Sequence, residues 1–450
     1  MAALAALLVA PVGLSAAEKT TNATINAALE SAYRSNPTLN AERARQRATD
    51  ENVPQALSGW RPTVSAGGQY GASWNAQKGI PRIGQNPANV VVSLTQPVFT
   101  GFKTTSGTAQ AEALVRAGRQ TLLATEQDVL LDGATAYMNV IRDRSVLQLR
   151  QKNVQVLTEE LRASQARFDV GEITRTDVSQ AQARLELSKS ALSQAQAQLA
   201  ASMAFYTRVV GSEPGRLIFP PLPPAMPPSL DAALAEAESI NPNILAAAFS
   251  EEAARYNIDL VRSNLYPQVS VSAQYSYQQD TSPLVAWSDS AQIFGQVQIP
   301  IYEGGYVYSQ VRQAKQVASQ RRIEILGARR AVREQVTSSW NNFQAATAVI
   351  VSQKASVEAN RLALEGVRQE ALVGSRTTLD VLDAEQEYID SQVILVTAQR
   401  DRIIAAYQLL AAIGRMTAQS LRLGVVPYNA EDNYLNVRDK FIGADAKTVD

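Results

Sequence analysis

Apolar residues recur every seven positions along two long stretches of this chain. Val140, Leu147, Val154, Leu161 and Phe168 make one ridge, and Phe343, Ile350, Val357, Leu364 and Ala371 repeat it 203 residues later. From Lys103 to Phe168 there is no proline and there are only three glycines, which predicts one unbroken helix. At roughly 1.5 Å per residue it would be about 100 Å long. A shorter helical pattern follows each ridge. After Gly171 it carries Val178, Leu185, Leu192 and Leu199 beside a seam of Ala181, Ser188, Ala195 and Ser202; after Gly374 it carries Leu382, Ile389, Val396, Ile403 and Leu410. Strict seven-residue spacing implies supercoiled packing, and the small-residue seam implies close approach of helices.

Elsewhere the period changes to two. Val64, Ala66, Gly68, Tyr70, Ala72 and Trp74 alternate with polar or small residues, which predicts an amphipathic strand. A polar loop with Gly79, Pro81, Gly84 and Pro87 should follow, then a second strand near Asn89–Phe99. The same alternation returns at Val269, Val271, Ala273, Tyr275 and Tyr277, and again at Ile293, Gly295, Val297 and Ile299. A helical stretch from about Asn22 to Gly59 precedes the first pair and should kink at Asn36-Pro37, a dipeptide repeated at Asn241-Pro242.

These correspondences make the chain a tandem repeat. Residues 18–210 and 230–414 each read helix, strand, strand, long helix, shorter helix. Residues 211–229 hold seven prolines and form a linker, 415–450 form a C-terminal tail, and 1–17 read as a signal peptide with Ser15 and Ala17 suited to its cleavage site. The two inter-helix turns also match. Gly171, Thr174 and Asp177 align with Gly374, Thr377 and Asp380, so each shorter helix opens on Thr-x-x-Asp after a helix-terminating glycine. By length, the first helix and the shorter return helix would together match the long one, stacked end to end beside it.

Composition narrows the function. Lys plus Arg equals Asp plus Glu at 42 each, so no long-range field favours nucleic acid. The absence of Cys and His removes thiolate chemistry, Ser-His-Asp triads and nearly all zinc sites, and no phosphate-binding Gly-x-x-x-x-Gly-Lys signature occurs. No cofactor or metal is expected. After Thr20 no apolar run is long enough for a transmembrane helix, so an exported chain that still meets a membrane would cross it as strands. Four strands of about 10–14 residues can span a bilayer, yet four cannot close a barrel. Closure then requires further copies. Trp60, Phe99, Tyr266 and Tyr302 at one strand end, with Trp74, Tyr277 and Trp287 at the other, would form interfacial girdles.

Over about residues 22–414 the chain resembles the TolC family of outer-membrane efflux and secretion channels. The repeat, the Trp60-Arg61-Pro62 and Leu265-Tyr266-Pro267 corners, the Gln96–Gly101 and Ile299–Gly304 strand exits and the paired turns carry the resemblance. It implies a mixed α and membrane-β fold: a homotrimer with one twelve-stranded barrel in outer-membrane lipid and an α-helical tunnel in the periplasm. Its implied partners are a periplasmic adaptor, docking at the turns of Gly171 and Gly374, and an inner-membrane transporter. By motif, Arg376 becomes the gate arginine with Thr176 and Asp177 as its partners, and Asp380 and Asp383 become two cation-attracting rings. A tyrosine that contributes to the family's lock falls here at Ala371. The residues themselves leave Asp380 and Asp383 open to a plainer role, as first-turn acids favoured by the helix dipole. A periplasmic coiled-coil adaptor without a pore is the alternative function. A carboxylate-pair glycosidase is a third, weakened because both acids lie on one side of one helix with no aromatic cleft.

Overall fold

A computed structural model describes residues 24–224, 226–282 and 285–446. The expected signal peptide lies outside them. Two pairs of helices dominate: α4 (Lys103–Asp169) with α5 (Arg175–Val210), and α8 (Tyr306–Leu372) with α9 (Thr378–Ile413). Shorter helices are α1 (Ile25–Ser35), α2 (Pro37–Asp50), α3 (Asn52–Leu57), α6 (Leu230–Ile240), α7 (Pro242–Arg262) and α10 (Ala430–Arg438). Asn36-Pro37 ends one helix and starts another instead of kinking a single one. The Asn36 Oδ1 accepts the Thr38 N–H at 2.9 Å, and Pro37 occupies the first helical position, where a missing N–H costs nothing. Asn241 and Pro242 open α7 in the same way, with the Asn243 N–H donating at 2.9 Å.

The chain divides into two compact units. One comprises the described residues up to Ala32, Gly133–Leu222 and Ile350–Ile403; the other comprises Tyr33–Asp132, Pro223–Val349 and the described residues from Ile404. In the first unit Leu157, Ala181, Leu185 and Leu382 form a buried cluster with Val154 and Leu161 packed on it. The apolar ridges and the small-residue seam thus meet as the seven-residue spacing requires. The Ser31 hydroxyl donates to the Val210 carbonyl at 2.8 Å, so α1 abuts the end of α5. Arg144 holds the proline-rich segment by donating to the carbonyls of Pro214 and Gly215.

The second unit carries the sheet, in the order β1 (Thr63–Tyr70), β4 (Ala88–Phe99), β5 (Gln268–Ser282), β6 (Val285–Gln298), all antiparallel. Its register sets like against like. Val64, Leu94, Ala273 and Ile293 form one row and Ala66, Val92, Tyr275 and Ala291 another, while Ser65, Ser93, Gln274 and Gln292 form a row on the opposite face. Serines bridge that polar face, Ser65 to Ser93 at 2.7 Å and Ser276 to Ser290 at 2.9 Å. The first strand is shorter than its alternation suggests, breaking at Gly71, whose N–H donates to the Pro87 carbonyl. The expected polar loop holds its own hairpin, β2 (Ser73–Gln77) against β3 (Ile80–Gln85), turned at Gly79. Pro81 falls at the register shift between the Asn75 and Gln77 pairs, where it has no ladder partner to satisfy. Aromatics gather at both strand ends: Phe99, Phe102 and Tyr266 meet edge-on, and Tyr277 stacks on Trp287.

The tail after Gly414, silent in sequence, is strapped down in this second unit. The Asn433 amide donates to the buried Asp50 carboxylate at 2.9 Å, the Ala418 N–H to Glu126 at 2.7 Å, and Arg61 to the Lys440 carbonyl at 2.7 Å. Among the described residues no helix is long and apolar enough to cross a membrane.

Candidate gating site

Both inter-helix turns belong to the first unit and are built alike. Gly171 and Gly374 lie at φ +80° and +79°, a region that an L side chain enters only at a cost. Each ends its helix by a Schellman turn: the Glu172 N–H reaches the Arg167 carbonyl at 2.9 Å, and the Ser375 N–H reaches Glu370 at 3.0 Å. A reciprocal cap then starts the next helix. The Asp177 N–H donates to the Thr174 hydroxyl oxygen at 3.3 Å, while the Thr174 N–H and hydroxyl donate to the Asp177 carboxylate at 2.9 and 2.7 Å. Thr377 and Asp380 repeat this at 3.2, 2.8 and 2.8 Å. These bonds hold both carboxyls below the usual aspartate range, chiefly the Thr174 hydroxyl for Asp177 and the Thr377 N–H for Asp380.

The candidate gate residues are distributed otherwise than as one cluster. The Arg376 guanidinium donates to Glu370 at 2.9 Å, on its own hairpin, and Glu370 holds it charged. Asp177 is occupied by its cap and Thr176 stands exposed, so within one chain the structure does not join either to Arg376. Asp380 and Asp383 share a face of the first turns of α9 but have different partners: Asp380 takes the Thr377 cap, whereas Asp383 accepts a charge-assisted bond from Arg184 of α5.

Several side chains that tie these helices together went unseen in sequence. Arg184 is one, and Arg368 is another; it donates to Glu385 at 2.6 Å. Glu385 is 6% exposed, and burial pushes its carboxyl above the ordinary range despite Arg368. Arg150 donates to Asp390 at 3.1 Å, and Arg400 to the Asn139 side chain at 2.9 and 2.7 Å, so α9 is tied to α4 as well. These ties break the repeat, since 203 residues from Arg184 stands Glu387 and 203 before Asp383 stands Gln180. A signal was nonetheless present. Arg184 precedes Leu185 and Asp383 follows Leu382, and those leucines share one buried cluster, so packing the ridges brings the charges together.

Comparison with known proteins gives concordant matches. The family model described as "Outer membrane efflux protein" matches residues 28–212 and 233–415. The chain is 38% identical over 424 residues to the outer membrane efflux protein BepC of Brucella suis biovar 1, covering 93% of this chain and 91% of that protein. It is 28% identical over 407 residues to the outer membrane protein TolC of Escherichia coli K12, covering 86% and 81%. The crystal structure of the Campylobacter jejuni CmeC outer membrane channel superposes with a TM-score of 0.79 at 14% identity, covering 92% of this chain and 89% of that one.

Proposed function

The chain belongs to the outer membrane efflux protein family, and from that membership we propose that it is the outer-membrane exit duct of an efflux or type I secretion system. Its work is passive transport through the outer membrane, with the helical part in the periplasm and no catalysis. The observation that carries this reading is the sheet. Each terminal strand pairs on one side only, every residue of β1 and β6 is exposed, and one face is mainly apolar while the other is mainly polar. In lipid, unpaired backbone groups on both edges are untenable, so β6 of one copy would pair with β1 of the next. Three copies place twelve strands in a barrel, with the apolar rows toward lipid and the serine and glutamine rows toward water.

Residues 28–212 and 233–415, the two matched segments, would act as two structural repeats of one tunnel wall. The turns at Gly171 and Gly374 would present the surface for a periplasmic adaptor, through which an inner-membrane transporter delivers cargo. Arg376, Thr176 and Asp177 would form contacts of the closed state between chains, and Asp380 and Asp383 would set three-fold acidic rings that favour cations. Planar-bilayer recording in asymmetric salt tests this. Discrete, cation-preferring steps are expected, and Asp380→Asn combined with Asp383→Asn should lower the cation preference; an active pore whose selectivity is unchanged by both substitutions refutes the ring assignment.

A further inference from the structure

The two acids proposed as rings differ in one respect that bears on selectivity. Asp380 is capped by Thr377 and keeps its charge, and the nearby Arg376, which acts on it only through space, donates to Glu370 instead. Asp383 lies against the Arg184 guanidinium, with about half of the carboxylate side chain and a third of the arginine side chain open to water. Arg184 comes from α5 and Asp383 from α9, so the pair is also a tie between the return helices of two hairpins. In sequence the pair adjoins the buried leucines Leu185 and Leu382, and of the acids near it on the two helices Glu186 is bonded to Gln182 and Lys189 and Glu385 to Arg368. The neighbouring basic groups are already taken, Arg376 by Glu370 and Arg368 by Glu385.

We propose that Arg184 is a selectivity-determining residue of the pore, masking the charge of Asp383 while α5 and α9 are tied and releasing it when they part. The inference rests on the proposed duct and on its acidic constriction. In the tied state the cation preference comes from Asp380; in the parted state a second ring is added. One carboxylate therefore serves as latch and as filter, and ion selectivity reports whether the helices are joined. A part-exposed pair of this kind is only weakly held. Such a tie can be exchanged during opening without unfolding either helix.

The test is a double-substitution cycle read as reversal potential across a tenfold KCl gradient, on detergent-extracted protein inserted in a planar bilayer. Arg184→Gln should raise the cation-to-anion permeability ratio several-fold, since it removes one positive charge from each of three chains around the ion path. Asp383→Asn should change the ratio little in the parent channel and markedly in the Arg184→Gln background. Arg184→Lys, which keeps the charge, should return the parent ratio. Equal effects of Asp383→Asn in both backgrounds would overturn the mask, showing that Arg184 acts on ions directly. A conducting channel in which none of these substitutions nor Asp380→Asn moves the reversal potential would instead overturn the acidic constriction itself.

Discussion

Glu385 shows how a single side chain reports its surroundings. Its carboxyl is buried beside Arg368, and burial raises its proton affinity while the guanidinium works in the other direction. For an acid whose folded pKa is raised, the favourable contribution is complete below the unfolded pKa and is lost as pH rises through the folded value. Arg368→Ala removes the compensating cation and leaves the carboxylate desolvated. We expect a loss of about 1–3 kcal/mol at neutral pH, the cost of an orphaned buried polar group. The deficit should shrink as pH falls through the raised folded value and be gone below the ordinary glutamate range, seen as thermal melts of variant and parent that converge in acid.

At the scale of elements, the two turns were legible because their chemistry is local. Gly-x-x-Thr-x-x-Asp needs only neighbouring residues to stop one helix and start another, and both copies form the expected stop and cap. Thr174→Ala removes the acceptor for the Asp177 N–H and should cost about 1 kcal/mol locally, or roughly fivefold faster amide exchange in the first turn of α5. The contribution of Asp177 is present above the unfolded aspartate pKa and is lost as pH falls through its depressed folded value, so the exchange difference should narrow in strong acid. The β2–β3 hairpin was less legible. Four turn-forming residues in a short span suggested a loop, yet Gly79 supplies the positive φ that lets the flanking residues pair.

At the scale of the whole molecule, the prediction concerns closure between copies. The chain has no cysteine, so any that is introduced is unambiguous. A Ser65→Cys substitution on β1, combined in turn with single cysteines along β6, should yield under oxidation a ladder ending at three linked chains. The yield should alternate with the two-residue period of the strand, because successive side chains face opposite sides. A ladder that stops at two chains, or no linkage in membranes, contradicts the twelve-stranded barrel.

The sequence by itself determined the periods, and through them the element types. Seven-residue ridges without proline can only run as long helices, two-residue alternation makes strands with one apolar face, and Gly, Thr and Asp at fixed spacing punctuate the turns. All of these depend on residues close in the chain. Charge pairing was decided by tertiary structure alone. Asp390 pairs with Arg150 and Asp383 with Arg184, and Asp50 is met by Asn433 from a tail whose sequence carried no pattern. Long charged side chains have several partners within reach, and which one is met depends on how the ridges of separate helices come to rest against one another.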